Sequence, residues 1–271
     1  MSSLKKLLVP IITAGAWSLL SNISPASAQS QMDYVLQGEG ETTLVFEAGF
    51  GQDRSTWGPL LEALGGDYAT LTYARAGLGT SPAPDHPLTI DEHNGDLETL
   101  LSDLTITSDI ILVGHSYGGL LVTEFARDHL NQVSALILID PSIMEQRSMA
   151  KEVDAARIAA DDEMLLSMIP PQMGREYQTL VDQMDDASAT VTPLPAGLPV
   201  LIFTSTATYE EPFVFEETDA GRVLWLQGHS DLIAQSRNAR HLRMPDVGHN
   251  LQLDAPETVA HEISDFIDSL N

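Results

Sequence analysis

Six consecutive residues, Gly114-His115-Ser116-Tyr117-Gly118-Gly119, hold a serine between glycines in a Gly-x-Ser-x-Gly pattern. They follow the apolar run Asp109-Ile110-Ile111-Leu112-Val113 and precede a helical pattern over 119–129, so the order is strand, sharp turn, helix. In that context the serine takes strained dihedrals, and the flanking glycines are needed because a Cβ would clash. The strain lifts the Ser116 hydroxyl clear of the backbone at the positive end of the following helix, where it can act as a nucleophile.

A serine hydroxyl needs a base, usually a histidine oriented by a carboxylate. Among eight histidines, His249 in Val247-Gly248-His249-Asn250 sits between the last expected strand and the last helix. Sites of open parallel sheets lie at such carboxyl ends of strands. His229 is the rival. For the acid, Leu136-Ile137-Leu138-Ile139-Asp140-Pro141 puts Asp140 at the end of the strand after the elbow helix. The turn after the strand at 199–204 holds no aspartate, which leaves Glu210 and Glu211 as alternatives. Acyl transfer also needs two backbone N–H groups aimed at the developing oxyanion. Tyr117 supplies one, and Phe50, in the glycine-containing loop Ala48-Gly49-Phe50-Gly51, supplies the other.

Apolar runs rich in β-branched residues alternate with helical patterns, the sequence form of a mostly parallel sheet covered on both faces. Strands are expected at 34–37, 43–47, 69–73, 109–113, 134–140, 199–204 and 241–244, and helices at 55–64, 90–101, 119–129, 230–239 and 256–270. The segment 141–198 differs in character, with Met144, Met149, Met164, Met168 and Met173 and proline breaks at Pro170-Pro171 and Pro193-Pro195. It reads as a helical cap inserted between two parts of a core domain, 29–140 and 199–271. A methionine-rich face adapts to varied apolar ligands, so Trp57, Met144 and Met168 are expected to line the substrate site beside Phe50 and Tyr117.

The chain has 271 residues, long enough for one large α/β domain. Residues 1–28 pair Lys5 and Lys6 with an apolar stretch and the small-residue site Ser24-Pro25-Ala26-Ser27-Ala28, the pattern of a secretory signal peptide cleaved near Ala28. The expectation is a secreted or periplasmic protein with no membrane span in its mature part. The absence of cysteine excludes disulfides and thiolate chemistry. A surplus of 39 acidic over 13 basic residues argues against nucleic acid or anionic membranes as partners.

Taken together, the chain resembles the α/β-hydrolase superfamily over nearly all of its mature length. The matching residues are Glu47-Ala48-Gly49-Phe50-Gly51, Ala74-Arg75-Ala76-Gly77-Leu78-Gly79-Thr80-Ser81, Gly114 to Gly119, and Gly248-His249 with Asp254-Ala255-Pro256-Glu257. The resemblance implies a mostly parallel eight-stranded sheet with helices on both faces and a small helical cap. The sequence departs from the common pattern with Ala48 in place of a histidine, with Ala74 in place of an aspartate that braces the loop, and with no aspartate near Thr208. Some relatives carry the acid after the strand that follows the elbow helix, as Asp140 does. The implied activity is a serine hydrolase acting on carboxylic esters through an acyl-enzyme, with Ser116, His249 and Asp140 as its triad and neither metal nor organic cofactor. Lactone hydrolysis, aminopeptidase chemistry and cofactor-free peroxidation use the same triad. Cap acids Glu145, Asp161, Asp162 and Glu163 would serve an aminopeptidase, and a catalytically silent ligand-binding protein is the reading from another class.

Overall fold

A computed structural model describes residues 31–40 and 42–270, so the expected leader at 1–28 lies outside the described residues. Seven strands form one sheet: β1 Tyr34–Gln37, β2 Thr43–Glu47, β3 Ala69–Tyr73, β4 Ile110–His115, β5 Val133–Ile139, β6 Val200–Ser205 and β7 Ala239–Met244. Their order is β1-β3-β2-β4-β5-β6-β7, with β1 antiparallel to β3 and all other pairs parallel. The eight strands expected are thus seven among the described residues. Among the described residues a single strand, β1, precedes β2.

The central strands read as unbroken apolar runs because both of their faces are buried, and residue parity decides which core each side chain joins. Ile110, Leu112, Leu136, Leu138, Val200 and Ile202 face one core, with α2 (Ile90–Asp103), α3 (Tyr117–Asp128) and α6 (Asp219–Leu232) packed on it. Ile111, Val113, Ile137, Ile139, Leu201 and Phe203 face the other, covered by α1 (Gly58–Leu64) and α8 (Pro256–Asp268). Between β5 and β6 the chain forms α4 (Gln146–Met168) and α5 (Pro171–Asp185), separated at Ile169-Pro170 because a proline cannot continue α4. A four-residue helix α7 (Leu251–Asp254) follows β7. Among the described residues no helix is long and apolar enough to cross a membrane.

One expected helix is displaced. The segment 230–239 was read as helical, yet the helix runs Asp219–Leu232 and β7 begins at Ala239. Gly221 and Gly228, inside this helix, are packing positions. A Cβ on Gly221 would run into the Phe215 carbonyl, and one on Gly228 would lie 2.5 Å from Ile143 Cδ1. The Thr218 side chain caps the true start by accepting from Gly221 N at 3.0 Å.

The register brings Glu47 level with Gly114, and His115 level with Ile139. The residues that follow β2, β4 and β5 therefore emerge side by side at one edge of the sheet. Because Ile137 is fully buried in β5, an interior strand of the sheet, Ile137→Ala is expected to cost about 2–5 kcal/mol in urea unfolding; a change below about 1 kcal/mol would mean that the core closes over the cavity.

Candidate active site

Ser116 adopts φ 52° and ψ −123°, the left-handed turn required at this junction. The neighbouring glycines are enforced by contact. A Cβ on Gly114 would sit 2.6 Å from Val122 Cγ2, and one on Gly118 or Gly119 would strike the Glu47 carbonyl or Pro141. Ser116 lines a cavity of about 410 Å³ together with Phe50, Tyr117 and His249. Its hydroxyl makes no hydrogen bond among the described residues; contacts between a nucleophile and its base commonly tighten only when substrate is bound.

Asp140, directly after β5, is fully buried and holds φ 44°. Its Oδ2 lies 2.7 Å from His249 Nδ1, while Oδ1 accepts from Trp225 Nε1 at 2.7 Å and from Ser205 N at 2.9 Å. Burial pushes the carboxyl up, but the hydrogen bond and charge of His249, with smaller help from His229 and Trp225, hold it below its ordinary value. An ionised Asp140 at Nδ1 leaves His249 Nε2 free to take up a proton. Glu210 and Glu211, the alternative acids, make no contact with His249 among the described residues and do not line the cavity.

The rival His229 has a structural position. It is buried, with Nδ1 2.7 Å from Thr204 Oγ1 and Nε2 2.7 Å from the Pro141 carbonyl. Thr204 Oγ1 also meets His241 Nε2 at 2.7 Å. The arrangement fits a neutral ring that donates from Nε2 and accepts from the threonine hydroxyl, and burial lowers its pKa to about 4.

The Ala48-Gly49-Phe50-Gly51 loop is braced by a residue whose role the sequence left open. Arg75 is buried, and its Nη1 reaches Glu47 Oε1 and the Ala48 carbonyl, each at 2.5 Å, while Nη2 donates to the Gly49 carbonyl at 2.7 Å. Its guanidinium also lies 5.1 Å from the centre of the Tyr117 ring. The Ala74 departure therefore does not loosen this loop. Three carbonyl or carboxylate partners hold the two terminal nitrogens where water does not reach, while Nε, also buried, has no partner among the described residues. Gln52 adds a second tie, since Gly49 N donates to its Oε1 at 3.2 Å and its Nε2 donates to Asn250 Oδ1 at 3.1 Å. His115 fills the space beneath, with Nε2 3.0 Å from the His249 carbonyl and its ring 4.8 Å from the His249 ring. Burial, then the neighbouring His249, depress its pKa to about 3. Among the described residues the Phe50 and Tyr117 amides donate no hydrogen bond within the protein and remain available to a ligand.

Of the expected substrate contacts, Phe50 and Tyr117 line the cavity and Trp57 and Met168 do not. Trp57 is fully buried 5.1 Å from the Phe46 ring, because the short helical turn Arg54–Trp57 directs it into the core. Met168 ends α4 and is 63% exposed. Met144 packs against the apolar cluster that holds Tyr117, Leu180 and Met184 without lining the cavity. The wall instead includes Met184, Tyr177, Leu180, Trp225, Arg222 and Glu216. Trp225 was hidden by the misplaced helix start; with 219–232 read as helical, it falls on the buried face. The cap acids are otherwise engaged: Glu145 accepts from Thr192 N, Asp161 pairs with Arg157, Asp162 pairs with Arg147, and Glu163 is exposed. Among the described residues no group of three or more His, Asp or Glu is placed to hold a metal ion.

The depressed histidines carry a pH signature. His115 and His229 are neutral when folded, whereas in the unfolded chain each binds a proton below about pH 6.5. Unfolding therefore takes up protons, and stability present above about pH 6.5 falls as pH drops towards about 4 for His229 and about 3 for His115. Each can contribute up to about 1.4 kcal/mol per pH unit. Urea unfolding at pH 7 and pH 5 is expected to show a clear loss at the lower pH; equal stability would mean that the two rings are accessible to protons in the folded state.

A sequence profile of the alpha/beta hydrolase family matches residues 44–262, from β2 to α8. The uncharacterised protein YqjL of Bacillus subtilis is 24% identical over 229 residues, covering 84% of this chain and 85% of that protein. Lipase LipV of Mycobacterium tuberculosis is 37% identical over 86 residues, 32% of each chain. Among solved structures, a thermophilic esterase from Thermogutta terrifontis superposes with a TM-score of 0.64 at 19% identity, covering 88% of this chain and 93% of that one. The profile match spans most of the chain, and this protein is a member of the alpha/beta hydrolase family.

Proposed function

We propose that the protein is an exported serine hydrolase of carboxylic esters acting through an acyl-enzyme. The observation that carries this reading is the 2.7 Å contact between Asp140 and His249 Nδ1, in a cavity that His249 shares with Ser116. In the proposed cycle Ser116 Oγ attacks the ester carbonyl as its proton passes to His249 Nε2. Asp140 stabilises the imidazolium without itself taking the proton, and the Phe50 and Tyr117 amides hold the oxyanion. His249 returns the proton to the departing alcohol. Water then attacks the acyl-serine with the same base, releasing the acid and restoring Ser116.

The apolar walls of the cavity support ester over peptide substrates, since Phe50, Leu180, Val181 and Met184 offer no backbone-pairing edge. The lipase and esterase named among the similar proteins support the same class. Export rests on the leader-like residues 1–28 alone.

Hydrolysis of p-nitrophenyl esters from acetate to palmitate tests the reading. Wild type is expected to turn over the shorter esters and Ser116→Ala to lose this activity by several orders of magnitude. Activity retained in Ser116→Ala, or no ester cleaved by wild type, would refute it.

A further inference from the structure

The cavity contains one carboxyl group that the proposed reaction does not use. Glu216 lies in the short helical turn Phe215–Glu217 between β6 and α6, and it lines the same cavity as Ser116 and His249. Every neighbouring residue is tied down. Phe213 N donates to Glu217 Oε2 at 2.6 Å, Phe215 N to Asp161 Oδ2 at 2.7 Å, and Arg222 Nε to the Glu216 carbonyl at 2.6 Å. Arg157 Nη2 donates to the Phe213 carbonyl at 3.0 Å, and Gly221 brings α6 against the Phe215 carbonyl too closely for any side chain. The turn is thus held from four sides, while the Glu216 carboxyl, apart from its own backbone amide, has no hydrogen-bond partner among the described residues.

The other charges on the wall are already spoken for. Arg147 is neutralised by Asp162 and Asp185. Arg222 directs Nε and Nη1 to the carbonyls of Glu216 and Ser205, and Glu217 accepts from the backbone. Burial pushes the Glu216 carboxyl up, and the nearby Asp161 charge adds to the effect, against opposing contributions, each smaller than that of burial, from its own backbone amide and from the Arg147 and Arg222 charges. A cation brought into the cavity would favour the ionised form and supply the missing donor. The surplus of acidic over basic residues adds a long-range field that draws cations towards the protein.

We propose that Glu216 is a specificity-determining residue that receives an ammonium group of the substrate, so that the preferred substrates are amine-bearing acyl compounds. The proposal rests on the ester-hydrolase reading only in placing the cleaved bond beside Ser116. Binding can therefore be tested apart from turnover, by calorimetric titration of n-hexylammonium, 1-hexanol and hexanoate into the full-length wild-type protein and into Glu216→Gln at neutral pH. Wild type is expected to bind hexylammonium roughly tenfold or more tightly than the alcohol or the carboxylate, and Glu216→Gln to close that gap. Equal binding of the three ligands by wild type, tightest binding of hexanoate, or an undiminished ammonium preference in Glu216→Gln would overturn the proposal. The wild-type comparison decides the matter even where the variant fails to fold. Ammonium preference without ester hydrolysis would leave Glu216 its role and reject the catalytic reading, and ester hydrolysis without the preference would do the reverse.

Discussion

A carboxylate removed from water must be given donors, and much of this molecule is arranged to supply them to Asp140. Its donors come from three places: the backbone at the end of β6, the indole of α6, and the imidazole that follows β7. Each arrives only if β6, α6 and β7 pack in register beside β5. The energetic asymmetry is large, because a buried ionised group left without partners costs several kcal/mol, whereas each satisfied hydrogen bond contributes little beyond its loss to water. The fold and the acid therefore specify one another. A frame that failed to deliver Trp225 or Ser205 would also misplace His249.

A second buried charge does the same work on the opposite side of the serine. Arg75 gathers Glu47 and the carbonyls of Ala48 and Gly49, next to the Phe50 amide, which has no internal partner among the described residues. Gln52 then links this loop to Asn250 beside the histidine, and His115 under the elbow touches the His249 backbone. The serine, the oxyanion loop and the histidine loop are joined by these polar contacts rather than by packing alone. Such contacts hold geometry more narrowly than apolar surfaces, which tolerate sliding.

The sheet was legible in the sequence because central strands buried on both faces leave long apolar runs such as Ile110 to Val113 and Leu136 to Ile139. The elbow was legible because a strained serine demands glycines around it, and Asp140 because it ends such a run. What the sequence concealed was contact between distant segments. Trp225 and Glu216 sit ahead of the helix expected at 230–239, in a stretch where Gly221 and Gly228 let α6 approach Phe215 and Ile143. Trp57 and Met168 carry the right side chains for an apolar site and face the wrong way, one into the core and one into solvent. Side-chain type alone does not report direction; the short turn before α1 and the proline after α4 decide it.

The central claim is that Asp140, rather than an acid after β6, makes His249 able to activate Ser116. The most direct measurement is the rate at which a fluorophosphonate labels Ser116 in wild type, Asp140→Asn, Glu210→Gln and Glu211→Gln, with the adduct located by peptide mass spectrometry. Labelling is expected to slow by up to about 10⁴-fold in Asp140→Asn alone, with near wild-type rates in the two glutamine variants. Wild-type labelling by Asp140→Asn, or a collapse confined to Glu210→Gln or Glu211→Gln, would contradict it.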